Sequence, residues 1–120
     1  DKVKSAAPLL NGRLTDPSPR VRFFAAQTLG KMRHRDAIPA LFDLLKATKD
    51  TDPYLRYACV TALARIGDAE AVVAKAADPS PDVRLAVALV LRRLGDRRVS
   101  ALLADADPLV RAEAARAVHD

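Results

Sequence analysis

Apolar positions along this chain fall into four similar stripes. Counted from Arg22, Arg56, Arg84 and Arg111, the positions −1, +2, +3, +6, +7 and +10 step by three and one, the spacing of a single helix face. The first stripe is Val21, Phe24, Ala25, Thr28, Leu29 and Met32. The second is Leu55, Ala58, Cys59, Ala62, Leu63 and Ile66. The third is Val83, Ala86, Val87, Val90, Leu91 and Leu94, and the fourth is Val110, Glu113, Ala114, Ala117 and Val118. Only Thr28 and Glu113 are polar. The stripes predict long helices over 20–32, 54–66, 82–94 and 109–119. Each follows an Asp-Pro and is preceded by a shorter apolar run. Ser5, Asp36, Asp68 and Asp96 are positioned to cap those shorter helices, and Pro8 and Pro39 fall in the first turn of the first two. The short helices are expected over 5–14, 36–46, 69–76 and 97–103, with residues 1–4 as a lead-in. No strand alternation is present.

The caps lie 31, 32 and 28 residues apart, and the arginines 34, 28 and 27. Self-similarity at this period signals stacked supersecondary units. Each unit is a helical hairpin that cannot bury its apolar face alone, so neighbours must stack. The expected architecture is all-α, an α-solenoid of about four hairpins. The repeats fall near 5–35, 36–67, 68–95 and 96–120 of one domain. Glu113 in the last stripe, and a first residue that is not Met, read as marks of a piece of a longer array.

Composition sharpens the core. Half of the 120 residues are hydrophobic, yet only 4% are aromatic and none is Trp, so Ala, Val, Leu and Ile must fill the interior. The net charge of +5 is a moderate bias towards acidic partners. A single cysteine excludes an internal disulfide framework. No apolar run approaches the length of a membrane span, so membrane insertion is not expected.

The recurring residues are Asp-Pro, a short gap, Val/Leu-Arg, Ala/Val pairs, Leu, and Ile/Leu-Gly-Asp, carried by 16–32, 52–68, 78–96 and 107–120. This pattern resembles the HEAT repeat family, in particular the short bacterial HEAT-like repeats first noted in phycobilisome lyases. The resemblance covers nearly the whole chain. It implies the solenoid fold but leaves function open, because the family includes scaffolds, transport receptors, lyase subunits and DNA glycosylases. It also implies a ladder in which Asp16, Asp52, Asp78 and Asp107 pair with Arg22, Arg56, Arg84 and Arg111. An Asp before a helix can accept backbone N–H bonds, and an Arg one turn in can reach a neighbouring carboxylate.

Opposite the core stripe lie Phe23, Gln27, Gly30 and Lys31; Tyr57, Thr61, Ala64 and Arg65; Leu85, Leu89, Arg92 and Arg93; and Ala112, Arg116 and His119. The resemblance puts the second helix of each hairpin on a concave face. Phe23, Tyr57 and Leu85 would then form an apolar row beside cations Lys31, Arg65 and Arg93, which suits a peptide or an acidic helix. A plainer reading is that the apolar residues pack between hairpins and the cations solvate the surface. Clusters Lys31, Arg33, His34, Arg35 and Arg92, Arg93, Arg97, Arg98 end long helices, where cations complement the helix dipole. They also offer a basic edge to phosphates.

Catalytic and metal chemistry find little support. His34 and His119 lie in different units and no His-Glu metal motif occurs. Cys59 occupies a core column, as a small buried residue does. No Gly-rich phosphate loop or Ser/His/Asp spacing is present. The reading is therefore a non-enzymatic interaction module without cofactor, binding a protein or a neighbouring domain of its own chain. Phosphate-backbone binding along the basic edge is the first alternative and a bilin lyase-like subunit the second. Compartment, partner identity and oligomeric state are left open.

Overall fold

The computed structural model describes residues 2–48 and 51–120, with side chains from Ala6 onward. Among these residues all regular structure is helical, and the fold class is the all-α solenoid of paired helices. The elements are α1 (Lys2–Arg13), α2 (Pro19–Lys31), a 3₁₀ turn (Arg35–Ala37), α3 (Ile38–Thr48), α4 (Pro53–Ile66), α5 (Ala69–Val73), α6 (Pro81–Leu94), a 3₁₀ segment (Arg97–Ala104) and α7 (Pro108–His119). The chain divides into two compact units, Asp1–Gly67 and Asp68–Asp120. In the first, α1 packs on α2, α3 on α4, and α2 on α4. In the second, α5 packs on α6, and α6, α7 and the 3₁₀ segment pack on one another.

The four long helices start alike. Ser18, Asp52, Ser80 and Asp107 are the N-caps, and a proline follows each at the first helical position, where its missing N–H is harmless. The cap oxygens accept from the N–H of Val21 (3.4 Å), Leu55 (3.1 Å), Val83 (3.4 Å) and Val110 (3.3 Å). The short helices depart from expectation. Helix α1 already begins at Lys2, so Ser5 and Pro8 lie within it rather than at its start. Asp36 sits inside a 3₁₀ turn whose N-cap, His34, makes no side-chain bond. Helix α5 stops at Val73. The run after Asp96 is 3₁₀, in which residues three apart eclipse, and its buried Val99 and Leu102 have that spacing.

The predicted stripe is buried through the middle of the long helices, with Ala25, Leu29, Leu55, Ala58, Cys59, Ala62, Leu63, Val83, Ala86, Val87, Val90, Leu91, Val110 and Ala114 all inside. Phe24 and Val118 are the exceptions, at 61% and 53% exposed. Position +8 of α2, Gly30, faces α4: a Cβ placed there would stand 2.6 Å from Ala62 Cα and 2.9 Å from its Cβ. At 100° per residue, Phe24 points away from that seam. Gly30 is likewise buried in the seam, not on the outward face where the stripe opposite the core placed it.

The aspartate–arginine ladder takes a different register. In α2, Arg22 Nη1 donates to the main-chain oxygens of Asp16 (2.7 Å) and Pro17 (3.1 Å). Arg84 repeats this with Asp78 (2.8 Å) and Pro79 (3.1 Å), and Arg111 with Asp105 (2.7 Å) and Ala106 (3.1 Å). The carboxylates of Asp16, Asp78 and Asp105 accept the N–H two residues on, at 2.9 Å each. Asp105, not Asp107, is thus the counterpart of Asp16 and Asp78. Asp52 and Asp107 are instead counterparts of the caps Ser18 and Ser80. The position equivalent to Asp16 in the second repeat, Asp50, lies outside the described residues.

The carboxylate that Arg84 grips belongs to the next repeat. Its Nε and Nη2 meet Asp105 Oδ2 (2.9 Å) and Oδ1 (3.3 Å), with only 16% of the arginine and 6% of the aspartate side chain exposed. Burial alone would raise the Asp105 carboxyl. The Arg84 hydrogen bond, the Asp107 N–H and the charges of Arg84 and Arg111 outweigh it and hold the group below its ordinary value.

Two outcomes follow from this packing. Gly30→Ala forces α2 and α4 apart and is expected to lower stability by about 2 kcal/mol despite alanine's better helix propensity, measured by urea denaturation. An unchanged or raised midpoint would contradict the close seam. Asp105→Asn should cost about 2 kcal/mol at neutral pH. Because the folded Asp105 value is depressed, its contribution is complete above the unfolded value of about 4 and is lost as pH falls through the folded one. Denaturation midpoints taken from pH 6 downward should therefore show a shallower acid limb in Asp105→Asn than in the parent.

Candidate functional site

The first unit presents one outward surface built from α2 and α4. Positions −2, +1, +5 and +9 recur on one side of each helix. On α2 they are Arg20, Phe23, Gln27 and Lys31; on α4 they are Tyr54, Tyr57, Thr61 and Arg65. Arg20, Lys31 and Arg65 are exposed, while Phe23, Gln27 and Thr61 are half-buried. Tyr54 is 79% and Tyr57 58% exposed. The expected aromatic and cationic positions of this unit therefore do lie on the surface of adjacent helices. Arg20 and Tyr54 extend the surface one turn beyond the expected set. Their signal was available, since each precedes Phe23 or Tyr57 by three residues on the same helix face.

Near the C-terminal ends of α2 and α4 the surface dips into a hollow of about 280 Å³ lined by Gly30, Lys31, Arg33 and Arg65. Gly30, which packs against Ala62 of α4, is one of its lining residues and so joins the hollow to the close seam between the two helices. Arg33 closes α2. Its N–H donates to Gly30 O (3.0 Å), and the His34 N–H donates to Leu29 O (3.1 Å), the two bonds of a Schellman ending. That ending needs a left-handed residue. At the same offset α4 and α6 use Gly67 (φ 73°) and Gly95 (φ 66°), whereas α2 uses Arg33 (φ 52°).

The second unit differs from expectation. Leu85 is 9% exposed and gives a partner no apolar row. The middle of α6, Leu85-Ala86-Val87-Ala88, is buried all round, as a helix apolar on every side is. Leu89 is half-buried. Arg92 is already engaged by Asp120 (2.6 Å) and Glu113 (3.6 Å), and Arg116 bonds Glu113. Glu113 is polar within the core stripe because these two arginines flank it. Arg93 is exposed. Arg98 bridges Asp96 (2.8 Å) and Glu70 (2.7 Å). Two of the expected cations of this unit, Arg92 and Arg116, are thus held in ion pairs, a feature that stripe counting does not reveal.

A larger hollow in the first unit, about 710 Å³, is lined by Leu14, Pro19, Arg22, Ala40, Leu44 and Asp52 among others, with no His or Cys. Among the described residues no three His, Cys, Asp or Glu side chains group to hold a metal, and no helix is long and apolar enough to cross a membrane.

A family model described as HEAT repeats matches residues 6–74 and 43–119, together nearly the full chain. No curated protein matches the sequence.

Cys59 lies fully buried in α4, and burial, with a smaller contribution from the Asp52 charge, pushes its thiol up to about 12. A thiol so held is inert. In the native protein Cys59 is expected to resist a disulfide-exchange reagent at pH 8 and to react fully once urea unfolds the chain. Rapid labelling without denaturant would show the thiol to be accessible.

Proposed function

The chain belongs to the HEAT repeat family, and on that premise we propose that it is a non-catalytic scaffold binding another protein, or a neighbouring domain of its own chain, through the outward surface of α2 and α4. HEAT repeats generally serve as protein-interaction scaffolds. The observation that carries the reading is the pair of exposed tyrosines, Tyr54 and Tyr57, beside half-buried Phe23 and the exposed cations Lys31 and Arg65. Exposed aromatic rings on rigid helices supply large contact area with little entropy to lose, and aromatic and arginine side chains dominate binding hot spots. Isolated exposed apolar residues are common; aromatics and cations recurring at matching positions of two packed helices support the reading of a shared patch.

Affinity capture with the intact protein as bait, followed by identification of the retained protein, tests this. Phe23→Ala with Tyr57→Ala should weaken capture of that protein by about tenfold or more while leaving the helical circular dichroism unchanged. Equal capture by the parent and the double variant would sink the assignment to this surface.

A further inference from the structure

We propose that the hollow over Gly30, ringed by Lys31, Arg33 and Arg65, is a carboxylate-binding site for an acidic peptide segment of the partner. The inference deepens the scaffold reading and rests on it. Three observations converge.

The cations are available. Lys31, Arg33 and Arg65 are exposed, and among the described residues none of them makes a hydrogen bond or ion pair to a carboxylate. In the second unit, by contrast, Arg84, Arg92, Arg98 and Arg116 all hold Asp or Glu side chains. Unpaired cations gathered over one small hollow leave an acceptor-shaped gap that charge-assisted hydrogen bonds from a carboxylate would fill.

Arg33 is held in a conformation that favours glycine. Lys31 and Arg65 are accounted for by the carbonyl ends of α2 and α4, which any cation there stabilises. Arg33 is not. A side chain in the left-handed region costs about 1 kcal/mol or more, and the equivalent positions 67 and 95 avoid it with glycine. Retained backbone strain points to a role beyond folding, and this residue's side chain borders the hollow.

The surroundings select a polypeptide over a nucleic acid. The site lies at helix C-termini, whose partial negative charge opposes any anion alike, so the choice rests on the small number of cations and on the apolar neighbours. Only three cations meet there. The apolar side chains of Phe23 and Tyr57 stand eight residues earlier on their helices, about 12 Å along the axis at the helical rise. An extended segment bridges that distance in about four residues. The matching ligand is a short segment with carboxylates at one end and apolar side chains at the other.

The test uses the whole 120-residue protein and a short fluorescein-labelled peptide with a triple-glutamate block followed by leucines. The control peptides carry glutamine in place of glutamate, and a single-stranded oligonucleotide of similar length is the third probe. Fluorescence anisotropy should show binding of the glutamate peptide, weakened by salt, and at least tenfold weaker binding of the glutamine peptide. Arg33→Gly should weaken the glutamate peptide severalfold while the denaturation midpoint stays equal or rises, so loss of fold cannot explain the loss of binding. Lys31→Ala with Arg65→Ala should weaken it by about tenfold or more. Undiminished binding by these variants, no binding by the parent, or tighter binding of the oligonucleotide would each overturn the proposal. If those charge variants bind normally while Phe23→Ala with Tyr57→Ala still loses the captured protein, the carboxylate site fails and the interaction surface stands.

Discussion

Close approach of helices across small side chains is the constraint on which this structure depends. With aromatic residues at 4% and no Trp, Phe42 of α3 is the one aromatic ring buried among the described residues, so elsewhere the backbones must come together. The interior is accordingly Ala, Val and Leu, with Ala25, Ala26, Ala58, Ala62, Ala86, Ala88 and Ala114 all at or near zero exposure. Dispersion attraction falls steeply with separation, so such a core is sensitive to fractions of an ångström. Gly30 against Ala62 is the tightest expression of that rule. Gly30 also lines the hollow with Lys31, Arg33 and Arg65, and so links core packing to the chemistry of the surface above it.

Much of the fold was legible from periodicity. A period-3.6 stripe repeated four times, with caps and prolines at fixed offsets, encodes helices that share one way of packing, and each long helix appears within a residue or two of its expected start. What periodicity could not encode is hydrogen-bond register. In the first and third repeats the ladder aspartate itself precedes a proline, as Asp16-Pro17 and Asp78-Pro79. In the fourth repeat Asp107 precedes Pro108 as a cap, and Asp105 is the residue that Arg84 holds. The conspicuous Asp-Pro pair thus marks two different structural positions. Counting six residues back from the arginine, rather than looking for the pair, finds Asp105.

The surface was legible in part, for a related reason. Helical spacing tells which side chains share a side of one helix, and Tyr57, Lys31 and Arg65 are indeed exposed while Phe23 is half-buried. Spacing does not tell which charges are already neutralised. Arg92 and Arg116 looked like the same kind of cation as Arg65, yet Glu113 and Asp120 occupy them. Nor does spacing reveal that Leu85 is enclosed. Arg33 was visible only as one of a basic cluster. Its significance comes from a dihedral angle, and becomes apparent beside the two glycines that do the same task elsewhere.

The Arg84–Asp105 contact also has a meaning for how such chains grow. The two residues are 21 apart in sequence, and the arginine holds its own loop with one nitrogen while gripping the following loop with the others. The third repeat thus carries one half of the joint and the fourth the other. A segment duplicated in frame with that interval brings its matching half along, whereas an insertion between the two residues separates them. Copying a whole period keeps both halves of the joint together, which gives a builder of longer arrays a rule for where to cut and paste.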